Sequence, residues 1–233
     1  MKKTIVLLGI SLLFFTTSCK KDSEKIVETE VKKYNVDDFF DTKSVIGSGF
    51  NTDETKVLMT SNFNGIFNVY EVTIADTVAK ALTNSEKESL FAGDYVPGSS
   101  KFIYSSDQGG NENSQLYVVD QTSSKTTNIT PWENTSNSFL GWSLDKKNLY
   151  VQSNKRDVKY FDIYKMDTVS WKPNLLYKNE SGITASGISP SERYLTLTKE
   201  ITTDKNELYL YDLKTKKQNR IKLFLLFVKK ITV

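Results

Sequence analysis

The chain has 233 residues, 38% hydrophobic and 25% charged, with 13 Phe, 12 Tyr and 3 Trp. That aromatic content excludes an intrinsically disordered chain, and 11 Gly and 4 Pro exclude a collagen-like or low-complexity one. With no histidine and one cysteine, the sequence cannot by itself build a Ser-His-Asp or Cys-His mechanism, an imidazole zinc site or an internal disulfide.

The formal charge of +3 conceals an uneven distribution. Lys2 and Lys3 stand at the N-terminus, and seven basic residues without one acid follow Asp212. Between residues 19 and 212 the chain is mildly acidic, so no nucleic-acid partner is expected. Lys2-Lys3, the apolar run Thr4 to Phe15 and the small residues Thr16-Thr17-Ser18 have the layout of a secretory signal over residues 1–18. The run is too short for a comfortable membrane span. Cys19 follows directly, and the arrangement resembles the lipobox of bacterial lipoproteins, with Thr16 where Leu is commoner. That resemblance implies acylation of Cys19, membrane lipid as a partner, and a lipid-anchored place in the bacterial cell envelope. Residues 19–44, which open KKDSEKIVETEVKK after the cysteine, read as a solvated tether.

Four segments then align: FNTDETKVLMTSN from Phe50, YVPGSSKFIYSSD from Tyr95, WSLDKKNLYVQSN from Trp142 and ISPSERYLTLTKE from Ile188, spaced 45, 47 and 46 residues apart. Each opens with an apolar residue and a polar turn and continues into a strand such as Phe102-Ile103-Tyr104. A second strand recurs as NVYEV, QLYVVD, DIYKMD and ELYLYD, placing Tyr70, Tyr117, Tyr164 and Tyr209 in register. Asp120, Asp167 and Asp212 close three of these strands. A third strand is expected at Ala81-Leu82-Thr83, Asn128-Ile129-Thr130 and Leu175-Leu176-Tyr177. A repeat of about 46 residues with three or four short strands is the size of one propeller blade. The fold expected is therefore all-β, a partial β-propeller of about four blades over residues 45–221, with a helical period only around Val36–Phe40. The repeated tyrosines are expected to pack between blades and the repeated aspartates to cap turns.

Turns such as Ile188-Ser189-Pro190-Ser191-Glu192-Arg193 resemble the repeats of TolB-like propellers. More specifically, SSDQGGNEN, SNKRD and their surroundings from about Tyr34 to Arg220 resemble the propeller of Bacteroidetes lipoproteins of the prolyl-oligopeptidase family of serine peptidases. The resemblance implies a propeller that gates a separate α/β-hydrolase domain, with peptides met at the propeller face. The sequence departs from that family in having no Gly-x-Ser-x-Gly elbow; Ser48-Gly49 is only a partial look-alike. The expectation is thus a non-catalytic chain, with no catalytic residue, cofactor or metal ligand, and with Cys19 as its lipid-anchor residue. A free-standing propeller lipoprotein serving as a binding or scaffold module is the alternative. Residues 222–233 break the repeat: Leu223 to Val228 form an apolar run between basic residues. Truncation before the hydrolase domain is preferred there over a final closing strand, because no turn signal precedes the run. Four blades cut from a larger ring are expected to self-associate through their open ends. A small-propeller glycosidase would need paired acids, for which Asp37-Asp38, Asp41, Asp53-Glu54 and Glu112 are the candidates, and Asp107, Asn111 and Asn113 offer oxygen ligands for calcium; solvated turn residues are the favoured reading of all of these.

Overall fold

A computed structural model describes residues 31–221, and contains a short helix followed by sixteen strands. Helix α1 (Val36–Phe40) is closed at its N-terminus by a capping box, in which the Asn35 side chain accepts from the Asp38 N–H and Asp38 returns the bond to the Asn35 N–H. No helix among the described residues is long and apolar enough to cross a membrane.

The strands form four sheets of four, each an antiparallel meander in chain order. Blade one holds β1 (Val45–Phe50), β2 (Lys56–Ser61), β3 (Asn68–Thr73) and β4 (Ala79–Ala81). Blade two holds β5 (Phe91–Tyr95), β6 (Lys101–Ser106), β7 (Gln115–Asp120) and β8 (Lys125–Asn128). Blade three holds β9 (Asn137–Trp142), β10 (Asn148–Asp157), β11 (Tyr160–Asp167) and β12 (Pro173–Tyr177). Blade four holds β13 (Thr184–Ile188), β14 (Tyr194–Thr202), β15 (Lys205–Asp212) and β16 (Lys217–Arg220). The propeller repeat read from the sequence is the repeat observed.

Two details differ from the sequence reading. The strand that ends at each aligned apolar residue (β1, β5, β9, β13) gives no alternating signal in the sequence, because a glycine and a bulge interrupt every one of them. The fourth strands of the first two blades end earlier than Leu82-Thr83 and Ile129-Thr130. There the Thr83 and Thr130 hydroxyls, rather than a continued ladder, accept from the Val69 and Leu116 N–H groups at 2.9 and 2.8 Å.

The core lies between blades. Because side chains alternate across a strand, each blade has two apolar faces in its middle strands and buries one against each neighbour. Phe102, Tyr104, Tyr117 and Val119 of blade two pack on Leu58 and Val69 of blade one. Leu149, Val151 and Met166 of blade three meet Ile103, Leu116 and Val118 of blade two. Leu195, Leu197, Tyr209 and Tyr211 of blade four meet Ile163 of blade three. The tyrosines of the repeat are core residues: Tyr70 and Tyr164 are buried, and Tyr117 and Tyr209 join the clusters.

All four first strands carry a bulge, with register shifts between Gly47 and Phe50, between Ala92 and Asp94, opposite Tyr150 and Val151, and between Ala185 and Gly187. At Gly141, φ is 145°, a backbone state that side chains disfavour. The outward strands β4, β8 and β16 are short, mostly exposed and carry Lys80, Lys125 and Lys217, which discourages pairing with another sheet.

Replacing Leu149, fully buried between blades two and three, by Ala should cost about 3 kcal/mol, whereas Leu144→Ala, at an exposed turn position, should stay within about 0.5 kcal/mol. Urea unfolding of the two variants checks this; equal losses would mean that the blade interface does not carry the stability.

Candidate functional site

The bulge in β5 makes the site. By inserting a residue after Ala92 it turns Asp94 toward the neighbouring first strands, where its carboxylate accepts from the Trp142 indole N–H at 2.9 Å and from the Tyr95 backbone N–H at 2.8 Å. Blade three is thereby tied to blade two through an indole donor that needs a partner once withdrawn from water. The carboxylate presses on β1 as well. A Cβ placed on Gly49 would stand 1.8 Å from Asp94 Oδ1, so a larger residue there would push the carboxylate off its Trp142 and Tyr95 donors. Burial pushes the Asp94 carboxyl up, opposed by the Trp142 and Tyr95 hydrogen bonds and the nearby Lys146 charge. Beside it opens a cavity of about 310 Å3, lined by Phe50, Glu54, Asp94, Tyr95, Trp142 and Lys146 among others, at the ends of three first strands and their following turns.

Two further carboxylates lock blades together. Glu71, buried in blade one, accepts from Lys56 Nζ at 2.8 Å and from the Tyr95 hydroxyl of blade two at 2.9 Å. Glu192, in the β13–β14 turn, accepts from the Tyr150 hydroxyl and Lys165 Nζ of blade three, both at 2.7 Å. Burial pushes Glu192 up, but the bonds from Lys165 and Tyr150 outweigh it and leave the carboxyl below its ordinary value. Burial and then the facing glutamate push the Tyr95 and Tyr150 hydroxyls well up, so both stay protonated donors. The cavity therefore presents a half-buried acid, an indole, an ammonium and polar turns. Neither a serine nor a histidine is among its lining residues.

The family model for the prolyl oligopeptidase N-terminal β-propeller domain matches residues 83–232, well over half the chain. The chain belongs to this propeller family. Dipeptidyl aminopeptidase BIII of Pseudoxanthomonas mexicana is 31% identical over 125 residues, which are 52% of this chain and 18% of that protein. The chain thus spans less than a fifth of the curated relative. Among solved structures, TolB of Acinetobacter baumannii superposes with a TM-score of 0.57 at 14% identity, over 77% of this chain and 44% of TolB. A prolyl endopeptidase gives a TM-score of 0.55 at 15% identity, over 79% of this chain and 30% of the endopeptidase. These likenesses show the fold.

Within this propeller-family chain, most residues singled out in the sequence hold backbone. Asp120, Asp167 and Asp212 each cap the turn that follows, accepting from the N–H groups two and three residues on. Asp212 also takes Arg193 in a two-bond fork at 2.7 and 2.6 Å, which holds its carboxyl far below the usual range. Asp53 is tied to Thr55. Glu54 lies beside it in the β1–β2 turn, while Glu112 stands in the β6–β7 loop, at the other end of the strands. Asp37 and Asp38 lie in the first turn of α1. Asp107 Oδ2 accepts from the Glu112 N–H and Asn111 Oδ1 from the Asn113 N–H, so these oxygens hold the loop. Among the described residues no cluster of three metal-ligating side chains occurs. Ser48 donates its hydroxyl to the Ala92 carbonyl at 3.0 Å, within a strand rather than at a nucleophile turn. Cys19 and the run Leu223–Val228 lie outside the described residues.

The sequence reading missed Asp94, Trp142, Glu71 and Glu192. The available signal was the Gly-Asp-Tyr of 93–95 and the Gly-Trp of 141–142, each at the apolar residue that opens a repeat.

Gly49→Ala should destabilise the chain, and Asp94→Ala should remove most of that penalty in the double variant, as a melting series would show; additive losses would sink the contact. Raised by burial, the Asp94 carboxyl keeps its proton in the folded chain at pH values where the unfolded chain has released it. Its contribution to stability therefore falls as pH rises from its ordinary value of 3.8 upward. Urea midpoints of Asp94→Asn should decline less than those of the parent across that window; a steeper decline in the variant would refute this account.

Proposed function

We propose that this chain is the gating propeller of a lipid-anchored serine peptidase of the prolyl-oligopeptidase family, whose catalysis belongs to a separate hydrolase domain. The observation that carries this is the family match over residues 83–232, on a run of blades interlocked by Asp94, Glu71 and Glu192. Such blades form a stiff wall, and a wall that narrows the approach to a separate hydrolase domain excludes large folded proteins while admitting peptides. Peptides would meet the propeller face at the ends of the first strands, where the cavity beside Asp94 offers an acid, an indole and exposed Phe50. The 233-residue sequence has no histidine, so the Ser-His-Asp mechanism requires residues beyond it. Anchoring through Cys19 would hold the assembly at the bacterial envelope, in keeping with the signal layout of residues 1–18. Self-association through the terminal blades belongs to the same proposal.

Two experiments test it. Purified chain should release nothing from aminoacyl-proline or acyl-peptide reporter substrates; turnover that a serine-directed inhibitor blocks would overturn the non-catalytic assignment. Cys19→Ala should move the protein from the membrane to the soluble fraction in a bacterial host. A wild type already soluble would refute the anchor.

A further inference from the structure

A second cavity, of about 210 Å3, lies in blade two between the β6–β7 loop and the loop from β8 to β9. It sits at the opposite end of the strands from the Asp94 cavity. Its walls are amide side chains and two aromatic rings, and the only charged group lining it is Glu133.

Both walls are fixed. Gln115 staples the β8–β9 loop: its Nε2 donates to the Thr135 carbonyl at 2.8 Å, and its Oε1 accepts from the Thr130 hydroxyl at 3.0 Å and from Asn137 at 3.2 Å. The opposite loop is held by Asp107, and by Glu88, whose carboxylate accepts from the Gly109 N–H at 2.9 Å. Two lining amides are locked in orientation. Asn111 Oδ1 accepts from the Asn113 N–H at 3.0 Å and Asn128 Oδ1 from the Thr130 N–H at 2.9 Å, which leaves each NH2 group as a donor with no partner among the described residues. The side chains of Asn113 and Asn134 bond to nothing among the described residues. The rings are set as well: Tyr117 stacks on Tyr104 at 5.0 Å between centroids, and Lys155 Nζ stands 3.9 Å over the Trp132 ring.

The chemistry narrows the ligand. One acid and no cation line the cavity, and the nearby Lys155 ammonium is engaged with the Trp132 and Tyr164 rings, which disfavours an anion. Strand β7 is paired with β6 on one side and β8 on the other, so it offers no backbone edge to a peptide strand, and Lys125 guards the outer edge of β8. The cavity is smaller than the roughly 300–1,000 Å3 of pockets for drug-sized ligands. What remains is a small, neutral molecule with several groups that both donate and accept, and an apolar face for an aromatic ring. We infer that this cavity binds one neutral sugar unit, a pyranose whose hydroxyls pair with the amides of Asn111, Asn113, Asn128 and Asn134 and whose C–H face packs on Tyr117 or Trp132. A peptidase propeller with such a pocket would hold a glycan at one end of its blades while peptides pass at the other.

The test is saturation-transfer NMR on the full chain with the methyl glycosides of glucose, galactose, mannose and N-acetylglucosamine, and tetraglycine as the peptide control. The expected result is transfer to at least one glycoside. Affinity should then weaken at least fivefold in the double variant Asn113→Ala/Asn134→Gly. Those side chains make no hydrogen bond, and glycine suits the φ of 54° at 134, so the melting temperature should stay that of the parent. Absence of transfer to all four glycosides, glycoside binding indifferent to the double variant, or tetraglycine binding that the variant abolishes would each overturn the inference.

Discussion

Everything in this chain depends on the two-sidedness of its middle strands. A sheet with apolar residues on both faces cannot stand in water alone, and each blade meets that constraint by serving as its neighbour's core. Leu58, Ile103 and Ile163 look forward along the chain, while Phe102, Leu149 and Leu195 look back. No blade has a core of its own. Stability is therefore held at the interfaces, and a blade is only as ordered as the neighbour it leans on.

Apolar faces pack without a fixed register, and the polar cross-links supply it. Asp94–Trp142, Glu71–Tyr95 and the Glu192 pair with Tyr150 and Lys165 each join consecutive blades through a group that is costly to leave unpaired once removed from water. The strands nearest these links are bulged and rich in glycine, so backbones approach closely. That closeness turns the Asp94 end of the blades into a lined cavity rather than a gap.

The polar residues also divide by role in a way that composition does not reveal. Asp120, Asp167 and Asp212 look as reactive in the sequence as Asp94, yet all three are consumed by turn backbone. Ser48 is spent on a carbonyl. By contrast, Asn111 and Asn113 of the β6–β7 loop and Asn128 of β8 converge on one cavity, with side-chain amides that donate to nothing among the described residues.

The sequence by itself determined the propeller repeat, its period and the place of the repeated tyrosines between blades, because side-chain alternation and turn chemistry are local and repeat every 46 residues or so. It also determined that this chain carries no histidine-based catalysis. The first strands leave no alternating signal along the chain, because a glycine and a bulge interrupt each. The tertiary structure alone decided which acid is buried, since Asp94 and Trp142 are 48 residues apart and meet only when bulges bring neighbouring first strands together. It alone decided that loops before and after β7 enclose one amide-lined cavity, because convergence of separate loops is a property of blade geometry and leaves no period along the chain.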